Sequence, residues 1–323
     1  HFLLTMSSTS PKQTAHFLWL ILHLHLWVAS CSYSNLRLGT THKMSVPWII
    51  YGTAWKKDLT AELVYQAVQN GFRAIDTACQ PKHYNEAGVG VALHNLYSSG
   101  IVTREDIFIQ TKFTSVHGQD PTNIPYDIDA PLASQVRQSF SRSLYNLNTH
   151  YIDSLLLHSP MPRFEETMEV WSVFESLHDE QRVKALGISN IYDLPTLERL
   201  YNSARVKPSY IQNRFYSKTH YDREIRDFCN NHGIVYQSFW SLTANKNILH
   251  SDAVHRVATK HSKTPAQVFF RFLMQLNIHP LSGTKSELHM NQDIEVANQV
   301  LDSENGWLLS DSEIAGIIDQ MEI

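Results

Sequence analysis

Cysteine is scarce in this chain, and neither a block of one charge nor a long unbroken apolar run stands out. The 323 residues hold three cysteines, Cys31, Cys79 and Cys229. Three cannot build a disulfide framework, and none forms a Cys-x-x-Cys pair suited to a metal. We read them as free thiols of a reducing, cytoplasmic setting, and no Asn-x-Ser/Thr acceptor argues otherwise. With 27 Lys+Arg against 31 Asp+Glu and no basic cluster, the footprint of a nucleic-acid binder is missing. No Gly-rich phosphate loop, Walker motif or serine elbow occurs. What is present is a hydrophobic fraction of 43%, enough for a large buried core.

Residues 1–45 read differently from the rest. His1, His16, His23, His25 and His42 crowd there, and the apolar run from Phe17 to Val28 is interrupted by two of them. That run is too short for a bilayer. We expect an extension outside the fold, with a secretory signal as the alternative.

From Val46 onward, short apolar runs alternate with longer amphipathic ones. Strands are expected at 48–54, 73–78, 107–112, 152–158, 183–189, 210–214, 234–239 and 278–281. Helical periodicity marks 61–69, 132–147, 165–177, 194–202 and 266–275. Asp193 is placed to cap the helix that Pro195 opens, and Gly71, Gly100 and Gly233 stand where helices should stop. Strands apolar almost throughout suit a sheet buried on both faces, and strand–helix–strand crossovers make it parallel. Eight such units over 46–323 predict a single-domain α/β fold, a (β/α)8 TIM barrel. A doubly wound sheet would announce a Gly-rich turn after its first strand, where Gly52 stands alone.

Charged and polar residues interrupt these strands at their carboxyl ends. Asp76 ends the second, Lys112 the third, His158 the fourth, Ser189 and Asn190 the fifth, and Gln212 lies in the sixth. In a barrel those ends share one rim, where such folds carry their chemistry. Each residue alone is more often a satisfied polar group than a functional one; a whole rim of them is harder to dismiss. A buried lysine and aspartate on adjacent strands call for a salt bridge. His250, His255 and His261 lack the four-residue spacing of a helical metal pair and read as a solvated face, so no metal is expected.

Phe72-Arg73-Ala74-Ile75-Asp76-Thr77-Ala78, Ile109-Gln110-Thr111-Lys112, Tyr151 to Pro160, Gly187-Ile188-Ser189-Asn190 and Tyr210-Ile211-Gln212-Asn213 occur in this order. Together they resemble the aldo-keto reductases, over about 46–321. The resemblance implies an oxidoreductase acting on carbonyl groups with an Asp, Tyr, Lys and His tetrad. Asp76, Lys112 and His158 carry over directly. Tyr84 is the tyrosine, although it directly precedes Asn85 and the loop from Asp76 is long; counting back from Asn85 would point to His83. The chemistry needs a phenol, which favours Tyr84. Lys112 would make that phenol acidic, Asp76 would hold Lys112, and His158 would donate to the carbonyl oxygen.

On the cofactor side the resemblance implies that Ser189, Asn190 and Gln212 hold the nicotinamide carboxamide. Phe239 replaces the stacking tyrosine, with Leu242 nearby and Trp240 either core or at the substrate mouth. After strand eight, Ser282, Thr284, Lys285, Glu287 and Asn291 would face the phosphates. Leu281 and Glu287 stand where the family commonly has a lysine and an arginine for the ribose phosphate. NADPH is expected, with NADH open. The expected partner is a small-molecule carbonyl compound, with neither nucleic acid nor membrane for the barrel, and a monomer is favoured. A cofactor-binding sensor or accessory barrel and a metal-dependent hydrolase are the rival readings.

Overall fold

Short runs of Ile, Val, Leu and Phe that a sheet can bury on both faces fold here as eight parallel strands, with helices outside them. The computed structural model describes residues 46–300 and 307–321; the expectations for the first 45 residues, Cys31 included, lie outside them. In chain order the elements are β1 (Ile50–Gly52), α1 (Thr60–Gln69), β2 (Ala74–Asp76), α2 (Glu86–Ser98), β3 (Phe108–Phe113), α3 (Leu132–Asn146), β4 (Ile152–Leu157) and α4 (Phe164–Asp179). There follow β5 (Val183–Ser189), α5 (Leu194–Ser203), β6 (Tyr210–Arg214), α6 (Arg223–His232) and β7 (Val235–Phe239). The chain ends with α7 (Lys246–Leu249), α8 (Asp252–His261), α9 (Pro265–Gln275), β8 (Ile278–Ser282), α10 (Glu287–Val300) and α11 (Asp311–Ile318). Each strand pairs in parallel with the next and β8 closes on β1. The expected (β/α)8 barrel is the fold.

Strands β1 and β2 are shorter than the apolar runs that announced them. Their hydrogen bonding continues one residue further, Thr53 N to Asp76 O at 3.0 Å and Thr77 N to Gln110 O at 2.9 Å, before the backbone turns onto the rim. The helix signals hold. Asp193 accepts from Thr196 N at 2.9 Å with a proline in the first turn, and Gly233 closes α6 with φ 65°. His250 and His255 are exposed, and His261 Nε2 lies 3.0 Å from Glu313 Oε1.

Two layers fill the barrel. Ile50, Ala74, Phe108 and Tyr210 form an apolar floor. Above it, Asp76, Gln110, Gln212 and Gln237 are all buried, where barrels usually place branched apolar side chains. On the outer side of the sheet Asp153 is buried and tied to Arg104 at 2.8 Å and to Ile109 N at 2.9 Å. This pins β4 to β3 and the loop before it, a structural rather than chemical use of a carboxylate. Among the described residues no helix is long and apolar enough to cross a membrane.

Gly90 sits where α2 meets the end of α3, and a Cβ there would lie 2.0 Å from Asn146 O. Backbone cannot retreat as a flexible side-chain end can. Gly90→Ala should therefore cost about 1–3 kcal/mol in denaturant unfolding; a loss under about 0.5 kcal/mol, that of an ordinary surface change, would contradict this packing.

Candidate active site

The strand register brings β2 and β3 residues together: Asp76 pairs with Gln110, and Lys112 lies two residues on, facing the same way. Lys112 Nζ stands 2.6 Å from Asp76 Oδ1 and 2.7 Å from Oδ2, and donates to Thr77 O at 2.9 Å. Both residues are buried. Burial alone lowers the lysine pKa, while Asp76 opposes that shift and favours the cation.

After Asp76 the chain makes a turn in which His83 N and Tyr84 N both bond to Gln80 O. This turn takes up the extra loop length. Asn85 then caps α2, its Oδ1 accepting from Gly88 N at 2.9 Å. The result separates the two candidates for the proton donor. The Tyr84 ring lies under Lys112, with Nζ 5.4 Å from its centroid, and edge-on to His158 at 6.0 Å. His83 instead packs on Trp55, ring centroids 4.0 Å apart.

The phenol is not acidified in this arrangement. Burial, and next the charge of Asp76, push the Tyr84 pKa up. Lys112 directs its contacts to Asp76 and Thr77, and the Tyr84 hydroxyl bonds to no other described residue. At His158, burial first and Lys112 second push the pKa down to about 3. The imidazole is neutral at physiological pH. Its Nδ1 is 2.6 Å from Thr114 Oγ1; with Thr114 donating, Nε2 carries the proton and is a donor.

Beside His158 lie the residues expected to face a carboxamide. Asn190, with φ 55°, donates through Nδ2 to His158 O at 2.8 Å and to Ser189 Oγ at 3.2 Å. Ser189 Oγ donates to Gln212 O at 2.6 Å. Gln212 itself reaches inward, its Nε2 donating to Asp76 Oδ1 and to Gln237 Oε1, each at 2.9 Å. Phe239 and Leu242 are half-buried after β7. Trp240 is 49% exposed, so it belongs to the rim and not to the core. Arg214 lies over its ring at 4.0 Å.

The loop after β8 forms a second cluster. Ser282 Oγ donates to Asp293 Oδ2 at 2.6 Å, and Ser286 N bonds to Thr284 Oγ1 at 3.1 Å. Lys285, Glu287 and Asn291 are exposed around the start of α10. Burial pushes the Asp293 carboxyl up to about 7.

The sequence profile of the aldo/keto reductase family matches residues 36–246. The chain belongs to this family. It is 29% identical over 264 residues to glyoxal reductase of Bacillus subtilis, covering 81% of this chain and 87% of that protein. It is 28% identical over 281 residues to the NAD(P)H-dependent D-xylose reductase of Pachysolen tannophilus, covering 75% and 83%. A crystal structure of a Gox0644 mutant in complex with NADPH superposes with a TM-score of 0.68 at 27% identity, over 85% of this chain and 89% of the other.

In this aldo/keto reductase two site residues escaped sequence reasoning. Thr114 continues the inward face of β3 past Lys112, and that register was the available signal. Lys56 follows Gly52-Thr53-Ala54-Trp55 just beyond β1. It is buried, donates to Gly283 O at 3.0 Å, and stands 4.6 Å over the Tyr51 ring. Burial, and then Lys285, push its pKa down to about 8.

Lys112→Met leaves Asp76 charged inside the barrel without its cation. Unfolding free energy should fall by about 3–5 kcal/mol. A loss below about 1 kcal/mol, typical of an exposed pair, would show that the two are not sealed from water.

Proposed function

We propose that this chain is an NAD(P)H-dependent reductase of aldehydes or ketones, with Tyr84 as proton donor. The observation that carries this reading is the convergence on one rim of a phenol, a neutral imidazole donor and a buried ammonium–carboxylate pair. When bound, the reduced nicotinamide supplies hydride to the carbonyl carbon.

The chain's own residues do the remainder. His158 donates from Nε2 and orients the carbonyl oxygen, with Nδ1 accepting from Thr114 Oγ1 in that tautomer. Tyr84 holds its proton firmly, because burial disfavours the phenolate. It gives the proton up only as negative charge builds on the carbonyl oxygen, since an alkoxide is a stronger base than a phenolate. Lys112 stabilises the phenolate that remains, and Asp76 keeps Lys112 charged.

The rim also fits a dinucleotide. Ser189, Asn190 and Gln212 offer hydroxyl and amide groups to a carboxamide, and Phe239 presents a ring face for stacking. Lys56 and Lys285 bring positive charge to the Ser282–Ser286 loop at the head of α10, which suits phosphate. Glu287 opposes an extra ribose phosphate and can accept from a ribose hydroxyl. NADPH is the expected donor on the family's habit, with NADH the competitor. The substrate class is a small carbonyl compound, as the names of the glyoxal and xylose reductases indicate for those proteins.

Tyr84→Phe should lower kcat for a generic aldehyde by at least about 100-fold while dinucleotide affinity stays within a factor of about two. A fully active Tyr84→Phe together with an inactive His83→Gln would move the proton donor to His83. Dinucleotide binding without turnover in the parent protein would favour the sensor reading.

Because His158 is held near pKa 3, kcat/KM should show no His158-dependent limb near pH 6.5, the ordinary histidine range. A limb there that vanishes in His158→Gln would contradict the neutral imidazole. Glu287→Arg should shift the ratio of NADPH to NADH affinity toward NADPH, read by direct titration; an unchanged ratio would remove Glu287 from the cofactor site.

A further inference from the structure

Three glutamines meet around Asp76 inside the barrel, on β3, β6 and β7. Gln110 Nε2 donates to Asp76 Oδ1 at 2.7 Å and to Gln237 Oε1 at 2.8 Å, and Gln237 Nε2 returns a bond to Gln110 Oε1 at 3.1 Å. These two amides form a reciprocal pair. Gln212 then places both N–H groups inward, one on Asp76 Oδ1 and one on Gln237 Oε1. All three residues are buried, and buried amides are stable only when such bonds are made.

The donor count decides which way the Gln212 amide faces. A flipped amide would point its oxygen at the Asp76 carboxylate and at Gln237 Oε1, acceptor against acceptor. Its Oε1 is therefore turned the other way. That oxygen accepts from no other described residue, yet is not among the sealed polar atoms of the interior. It is an acceptor awaiting a donor, beside Ser189 and Asn190. A primary carboxamide brings an N–H to such an atom; a methyl ketone does not.

We propose that Gln110 and Gln237 are positioning residues: their paired amides orient Gln237 Oε1, which shares with Asp76 Oδ1 the holding of the Gln212 amide, so that Gln212 Oε1 is turned toward the rim and selects a ligand bearing a carboxamide N–H2. The inference rests on the dinucleotide reading above only for the identity of that ligand. Gln110 and Gln237 touch no substrate. They act through Gln212 and, by the bond from Gln110 Nε2 to Asp76 Oδ1, tie carboxamide recognition to the carboxylate that holds Lys112.

The test compares binding of an oxidised nicotinamide dinucleotide with its 3-acetylpyridine form, in which methyl replaces the amide nitrogen. Tryptophan quenching reads the affinities, with ADP-ribose as a control lacking the ring. The parent protein should bind the carboxamide form about tenfold more tightly than the acetyl form. Gln237→Met removes one of the two acceptors that hold Gln212 Nε2 and leaves only Asp76 Oδ1, so the preference should fall to about threefold, with ADP-ribose affinity unchanged. Should that single variant fail to fold, Gln110→Met combined with Gln237→Met removes both amides of the pair together and should give the same reduced ratio.

A variant that keeps the parent's full discrimination overturns the proposal. So does a parent that does not discriminate, or a loss of affinity shared equally by ADP-ribose, which marks general damage. A parent that discriminates but turns over no carbonyl compound would defeat the reductase reading and support this one.

Discussion

Lys112 and Asp76 place opposite charges inside a closed sheet, where neither is tolerable alone. Taking each from water costs several kcal/mol, and the structure answers with two short contacts between them and a bond from Lys112 to Thr77 O. Gln110 and Gln212 supply further donors to Asp76 Oδ1. Beneath lies an apolar floor that gives these groups no alternative partner. Everything catalytic in this account is arranged around that pair: Tyr84 lies under the ammonium, and His158 lies beside Tyr84.

The same burial sets the protonation states. It makes the imidazole neutral, hence a single-proton donor that carries its proton on Nε2 when Thr114 donates to Nδ1. It keeps the phenol protonated, in contrast to an expectation that lysine would make it acidic. A reductase loses nothing by this. Its proton donor must hold the proton until the carbonyl oxygen becomes strongly basic, and a weak acid facing an alkoxide meets that demand.

Much of this was legible in the sequence because a parallel sheet buried on both faces writes its strands as apolar runs. Against such runs Asp76, Lys112 and His158 stand out as interruptions, and the fold carries them to one rim. The loop to Tyr84 was harder: its length and the Tyr-Asn adjacency left His83 open, and only the turn on Gln80 separates the two rings. Lys56 was not legible, since it gains meaning from Gly283, remote in the chain, whereas Thr114 was open to reading only by carrying the β3 alternation past Lys112. The amide pair is the extreme case. Gln110 and Gln237 are 127 residues apart, and nothing local to either marks it as part of a network.

The most direct test of the central claim is a crystal structure of the complex with oxidised dinucleotide and a bound carbonyl or carboxylate inhibitor. The account predicts the inhibitor oxygen within about 2.6–3.2 Å of both Tyr84 Oη and His158 Nε2, with Lys112 still on Asp76. An inhibitor oxygen bound by His83, with Tyr84 turned to solvent, would contradict it.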